Sequence, residues 1–341
     1  MTTYLAFNEA EGLDAATSTN TGADTTQTLI AGVCRAGFFV KAPASTTVNL
    51  DASFTAITEG WTHVRVKFEP YSISIGATWR TFGIKDTSGA IVVWLKERCT
   101  ANFESELYVE TPLSSTLVAT GIVGDVKKDF DIHLKIDPVA GFVRVYMDNT
   151  LVVDETGDTE VTSGVTTFDA VTFGTGLSPL SRTSINACPA FSQVVVSSTT
   201  TLNCKLYTLT PSAGTLNTWA SGTVTDVDET GIDDTDKAAT ATDGNQFTID
   251  TSVTLAAATF PQEYKAVIQT FRANYDATSP VTKITPFIYD SVAPTTSLGT
   301  QKTLTTGLAA YKEIWEVDPV GAGDWTSTLI NLYEYGVRAD T

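Results

Sequence analysis

The chain has 341 residues, with 21 Lys and Arg against 39 Asp and Glu and a formal net charge of −18. That length suits two domains, and so acidic a surface repels phosphate backbones and anionic lipid, which excludes nucleic acid and membrane surfaces as partners. Hydrophobic residues at 42% are enough to build cores, so disorder is excluded, and the two histidines, His63 and His133, are too few for a metal site built on several imidazoles.

Thr and Val are frequent while Met is scarce, with 2 in the chain, which reads as all-β. No basic residue precedes Arg35 and no apolar segment follows Met1, so a signal peptide is not expected. The apolar runs at 29–34 and 90–95 are strand-length and far too short to span a bilayer. Residues 61–68 alternate strictly: Thr62, Val64, Val66 and Phe68 share one face, and His63, Arg65 and Lys67 the other. Residues 82–95 read as strand, turn at Asp86 to Gly89, strand. Residues 130–136 place Phe130, Ile132, Leu134 and Ile136 inward, leaving His133 with Asp131 and Lys135 on a polar face. Both histidines are therefore expected as solvated strand residues. A second hairpin at 142–153 turns at Asp148 and Asn149, residues that tolerate positive φ.

Residues 190–196 close the first part, a Ser/Thr stretch at 197–201 forms the boundary, and 202–209 start again. Further strands are expected at 263–273, 281–289 and 331–338, with one helical turn at 325–330. Many short strands and no long helical period predict an all-β protein of two consecutive antiparallel β-sandwiches, 1–198 and 202–341. The cysteines Cys34, Cys99, Cys188 and Cys204 are widely spaced, without a CxxC pair, and are read as reduced, buried thiols.

Residues 131–152, with their Val-Tyr-Met-Asp-Asn hairpin, resemble the central hairpin of concanavalin-like (laminin-G-like) jelly rolls, and 168–174 with 191–196 resemble the closing pair of that sandwich. The tail at 304–337, with Asp318-Pro319 and Trp325-Thr326, is similar to the ending of tailed-bacteriophage virion proteins, as is the acidic run 226–236. The resemblance implies a non-enzymatic structural component exposed on a virion, a decoration, fibre or collar protein. It would lie on the virion surface after synthesis in the host cytoplasm and contact capsid, neck or tail proteins. A homo-oligomer is expected, with a trimer as the guess. The alternative is a lectin-like module that binds a host surface glycan.

Candidate sites are few. Asp226 and Asp228, with Asp233 and Asp234, invite a calcium reading, but Lys237 stands where an EF-hand loop needs its bidentate Glu, so a solvated acidic loop and no cofactor is the expectation. Glu313, Glu316 and Asp318 do not reproduce a glycanase carboxylate pair, and Glu97 and Glu104 read as isolated, so no enzyme is expected. The two Gly-x-Gly sequences open no nucleotide fingerprint. Trp61, Phe82 and Trp94 are assigned to the core. Trp79, Trp219, Trp325, Tyr333 and Tyr335 are the candidates for anchoring a neighbouring subunit.

Overall fold

A computed structural model describes residues 2–7, 13–14, 21–24, 37–40, 49–68, 75–76, 78–101, 104–123, 126–174, 189–204, 206, 209, 211–226, 237–251 and 264–341. The chain divides into two compact units, one within 2–206 and one from 207 onward. The first unit contains β1 (Thr3–Phe7), β2 (Thr21–Asp24), β3 (Gly37–Val40), β4 (Asn49–Ile57), β5 (Glu59–Phe68), β6 (Thr78–Asp86) and β7 (Ile91–Ala101). It continues with β8 (Glu104–Glu110), β9 (Ser115–Val123), β10 (Val126–Lys135), β11 (Gly141–Met147), β12 (Thr150–Gly157), β13 (Phe168–Gly174) and β14 (Ala190–Ser197).

These strands form a jelly-roll β-sandwich. One sheet runs β12-β11-β10-β5-β14-β3-β2 with β1 also on β14, and the other runs β4-β13-β6-β7-β8-β9. Every pairing is antiparallel. The period-two pattern decides which side chains go inside. Val64, Val66, Phe130, Ile132, Leu134, Val143 and Val145 come from one sheet, and Phe82, Ile84, Val93, Leu95, Val109 and Phe173 from the other, all buried. Phe173 lies at the centre, its ring 5.0 Å from that of Phe191, 5.1 Å from Phe38 and 5.3 Å from Phe82. The two expected hairpin turns form. Asp148 and Asn149 take φ of 50° and 64°, and the Asp86 carboxylate accepts from the backbone N–H groups of Ser88 and Ala90.

The expectation that His63 is solvated is corrected: it is buried at 1% exposure, as is Asp131. Asp131 lies opposite His63 across β10 and β5, and its Oδ1 accepts from His63 Nδ1 at 2.8 Å and from the Thr201 hydroxyl at 2.7 Å. Residue 201, just past the end of β14, thus reaches back to this outer face. His133 is not solvated either. Its ring stacks on Trp61 at 4.3 Å and meets Phe142 edge-on at 4.6 Å, and only Glu59, at 3.1 Å, pairs with its Nε2. Burial first, opposed by the Glu59 contact, holds the His133 pKa below its ordinary value.

The second unit contains β15 (Pro211–Asn217), β16 (Gln246–Thr251), β17 (Val267–Ala273), β18 (Lys283–Asp290), β19 (Thr295–Leu298), β20 (Lys302–Thr303), β21 (Ala309–Trp315), α1 (Ser327–Leu332) and β22 (Tyr333–Asp340). One sheet runs β15-β16-β22-β18-β19 with β20 on β18, and β17 pairs with β21. The expected helical turn is α1, capped by Thr326, whose side chain accepts from the Leu329 N–H. The core gathers Ile288, Trp315, Trp325, Ile330, Tyr333 and Tyr335. No described helix is long and apolar enough to cross a membrane.

Candidate functional site

The outer face of the six-stranded sheet carries the densest chemistry in the first unit. Strict alternation on β7 sends Val93, Leu95, Glu97 and Cys99 inward, all buried, and turns Trp94, Lys96 and Arg98 outward. Strand β8 alternates likewise, with Ser105, Leu107 and Val109 inside and Glu104, Glu106, Tyr108 and Glu110 outside. The pairing register sets these residues side by side. Trp94 stands between Gly83 and Glu110, Lys96 between Arg80 and Tyr108, and Arg98 between Thr78 and Glu106. Successive rows are about 7 Å apart along the strands.

Gly83 is what lets the indole settle on the sheet. A Cβ at that position would meet Trp94 Cε3 at 2.9 Å and the Val93 carbonyl oxygen at 2.9 Å. The ring therefore lies across bare backbone, half-buried, with the Arg80 guanidinium 5.6 Å from its centroid. Glu110 accepts from Arg80 Nε at 3.1 Å and from Lys96 Nζ at 2.5 Å. Lys96 Nζ also lies 5.4 Å from the Tyr108 ring. The Tyr108 hydroxyl donates to Glu106 Oε2 at 2.7 Å and accepts from Arg98 Nη1 at 3.4 Å. Further along, Lys85 Nζ pairs with both oxygens of Asp51, at 2.8 and 2.6 Å. The charges thus neutralise one another at short range while each group keeps hydrogen-bonding capacity toward solvent.

Burial alone would raise the Glu110 pKa, but the hydrogen bond and charge of Lys96, followed by Arg80, outweigh it and hold the carboxyl below its usual value. A depressed folded-state pKa stabilises the fold above the unfolded value and loses that contribution as pH falls through the folded one. Unfolding free energy against pH should therefore separate wild type from Glu110→Gln near neutrality, by less than about 1 kcal/mol because the cluster meets solvent. The two curves should converge in acid. Curves separated equally at all pH values would show that Glu110 gains nothing from its cations. Asp169 shifts the other way, raised by burial and then by Asp86 and Asp51.

The residues singled out from sequence lie elsewhere. Trp79 is inside the first sandwich at 1% exposure, and Trp325, Tyr333 and Tyr335 are buried in the second unit. Trp325 Nε1 donates to the Trp315 carbonyl at 2.7 Å, Tyr335 donates to the Ile330 carbonyl at 3.2 Å, and Tyr333 donates to Asp318 Oδ2 at 3.3 Å. Burial, then the Asp318 charge, pushes the Tyr333 phenol up to about 12. These four side chains serve their own cores and offer no surface to a neighbouring subunit. Trp219 alone of the five keeps partial exposure, with its indole N–H on the Asn245 carbonyl at 3.3 Å. Trp61 and Trp94, assigned to the core from sequence, stand on outer sheet faces, whereas Phe82 is in the core.

Asp226 lies in a 3-10 turn and accepts from the backbone N–H and hydroxyl of Thr223. Asp228, Asp233 and Asp234 lie outside the described residues. Among the described residues no three His, Cys, Asp or Glu side chains converge as metal ligands. The Cys99 thiol is buried, bonds the Ala101 carbonyl oxygen and has its pKa raised by burial and then by Glu97, while Cys34 and Cys188 lie outside the described residues. Glu104, read as isolated, shares its strand face with Glu106, Tyr108 and Glu110. The alternation of 104–110 and of 94–98 was the signal that would have found this face.

No protein-family profile and no curated relative matches the chain. Solved structures do match, at low identity. Alginate lyase Aly36B aligns over 57% of this chain and 96% of its own, at 12% identity and a TM-score of 0.40. The alginate lyase from Corynebacterium sp. aligns over 54% of this chain and 82% of its own, at 11% identity and a TM-score of 0.38. A Trypanosoma rangeli sialidase aligns over 58% of this chain but 31% of its own, at 12% identity and a TM-score of 0.35. The likeness concerns the β-sandwich fold. The structures matched are named as alginate lyases and a sialidase, and the expectations of a non-enzymatic virion component and of no enzyme are withdrawn. That exclusion had rested on scarce histidines and on Glu97 and Glu104 read as isolated.

Proposed function

We propose that the first sandwich recognises a polysaccharide on the outer face of β6, β7 and β8. The observation that carries this reading is the Trp94 ring laid across Gly83 inside a grid of Arg80, Lys96, Arg98, Glu106, Tyr108 and Glu110. A sugar ring presents an apolar C–H face and a rim of hydroxyls. An indole takes the first, and fixed donors and acceptors around it take the second. Because the ion pairs satisfy one another when the face is empty, exposing it costs little. Affinity electrophoresis through gels containing neutral and uronate polysaccharides tests this directly. Retardation by at least one polymer is expected, and unretarded migration through all of them would overturn the reading.

A second reading, cleavage of a bound uronate chain by β-elimination, is favoured by Tyr108. Its oxygen stands beside Arg98 and its proton is already shared with Glu106. Elimination needs a cation to neutralise the uronate carboxylate, a base for the proton next to it and an acid for the leaving oxygen. Arg98 would serve the first role, with Tyr108 and Glu106 passing the proton. Unsaturated ends released by wild type but not by Tyr108→Phe, while the variant is still retarded by the polymer, would establish cleavage; intact polymer with retained binding would leave recognition as the activity.

A further inference from the structure

Among the described residues the six-stranded sheet ends on β9, and that edge differs from the edges at β4 and β12. Its nine residues, Ser-Thr-Leu-Val-Ala-Thr-Gly-Ile-Val, carry no charge and no proline. The strands β4 and β12, which also end sheets, are marked by acids: Asp51 on β4, and Asp154 with Glu155 on β12. An edge strand presents unpaired N–H and C=O groups that template another strand, and proteins ordinarily blunt it with charge, proline or shortness. Here such charge is missing and two apolar side chains are open, Leu117 at 46% and Val123 at 52% exposure, while Ile122 is buried. Leu113, in the turn before β9, and Leu151, on β12, add 42% and 45%.

We propose that β9 is the contact between two copies of this chain, paired antiparallel to its own copy across a two-fold axis near Leu117. Three observations select this occupant. Two molecules of net charge −18 repel, so a strand that pairs with its own copy must itself carry no charge, and β9 carries none. A two-fold interface must also be self-complementary. Pairing at Leu117 sets that leucine opposite itself and the small Ser115 opposite Ala119.

The ladder geometry agrees. Thr111 donates to the Ser114 carbonyl as the hairpin closes, and Val109 pairs with Thr116 and Tyr108 with Leu117. The antiparallel alternation then turns the Leu117 N–H and C=O away from β8, toward the open edge. The bulged register at Leu107 and the positive φ of Gly121, +66°, confine regular pairing to the first half of the strand. The two six-stranded sheets would join edge to edge.

Sedimentation equilibrium of the full chain at micromolar concentration tests the contact. Wild type should sediment as a dimer, and Leu117→Lys, which places two cations at the axis, should raise the dissociation constant about tenfold or more. Circular dichroism checks that the variant is folded. The chain carrying Leu117→Cys should cross-link to a dimer under mild oxidation beyond the wild-type background. The same change at Val139, a turn residue with 82% exposure, should not. A monomeric wild type, a dimer indifferent to Leu117→Lys, or equal cross-linking from both cysteine variants would each overturn the proposal.

Discussion

Trp94→Ala should weaken polysaccharide binding by about 2 kcal/mol, or roughly thirty-fold, while leaving the melting temperature almost unchanged. The separation of the two effects follows from where the ring sits. One side of the indole rests across Gly83 and the ring is only half-buried, so its removal opens no cavity between the sheets. What is lost is the apolar surface that a sugar face would cover, together with the ring that holds Arg80 in place. The neighbouring Gly83→Ala tests the same geometry from below. Its Cβ must displace either the indole, at 2.9 Å, or the Val93 carbonyl oxygen, also at 2.9 Å. Binding should fall here too, but with measurable destabilisation, because the backbone cannot yield as easily as the ring. Binding measured by isothermal titration calorimetry, beside thermal melts of both variants, gives the comparison. Full affinity in Trp94→Ala would remove this face from the recognition of glycans.

The strands themselves were legible because the period of two is strong. Residues 61–68, 82–95, 130–136 and 142–153 form β5, the β6–β7 hairpin, β10 and the β11–β12 hairpin. The inner face was legible for the same reason, since Val64, Val66, Phe130 and Ile132 could be placed by alternation alone. The fate of the polar face was not. Alternation separates His63 and Asp131 from the core between the sheets, but it cannot show that Thr201, 70 positions from Asp131, bonds the same carboxylate. Polarity was therefore mistaken for solvation.

The candidate site was missed for a related reason. Trp94 looks like core in a list of aromatics, and only the register shows that its row contains Gly83 and Glu110 rather than apolar neighbours. Glu106, Tyr108 and Glu110 belong to one strand, yet their meaning depends on Lys96 and Arg98 across the ladder and Arg80 one strand further. In the second unit the error ran the other way. Trp325, Tyr333 and Tyr335 follow loops and turns in sequence, which suggested exposure, but the short helix α1 folds the chain so that all three enter one core.

Phe173→Ala should be the most damaging single core substitution in the first sandwich, costing about 3–5 kcal/mol. The ring is fully buried on β13, and it touches four aromatic neighbours rather than one. Phe191 and Phe38 lie at 5.0 and 5.1 Å, Phe82 at 5.3 Å and Phe7 at 5.9 Å, with interplanar angles of 60–74°. These come from β14, β3, β6 and β1, so the cluster ties both sheets together at the point where β13 sits between β4 and β6. Edge-to-face pairs add to area burial, and the aromatic neighbours cannot all collapse into the space a phenyl group leaves, so the cavity persists. For a unit of this size the transition should fall by about 10 °C. Phe173→Leu, which keeps most of the volume, should recover more than half of the loss. Scanning calorimetry of each variant beside wild type reads the shift. A loss below about 1 kcal/mol for the alanine variant would mean that the sandwich relaxes around β13, and that the sheets are joined chiefly by the aliphatic rows of β5 and β10.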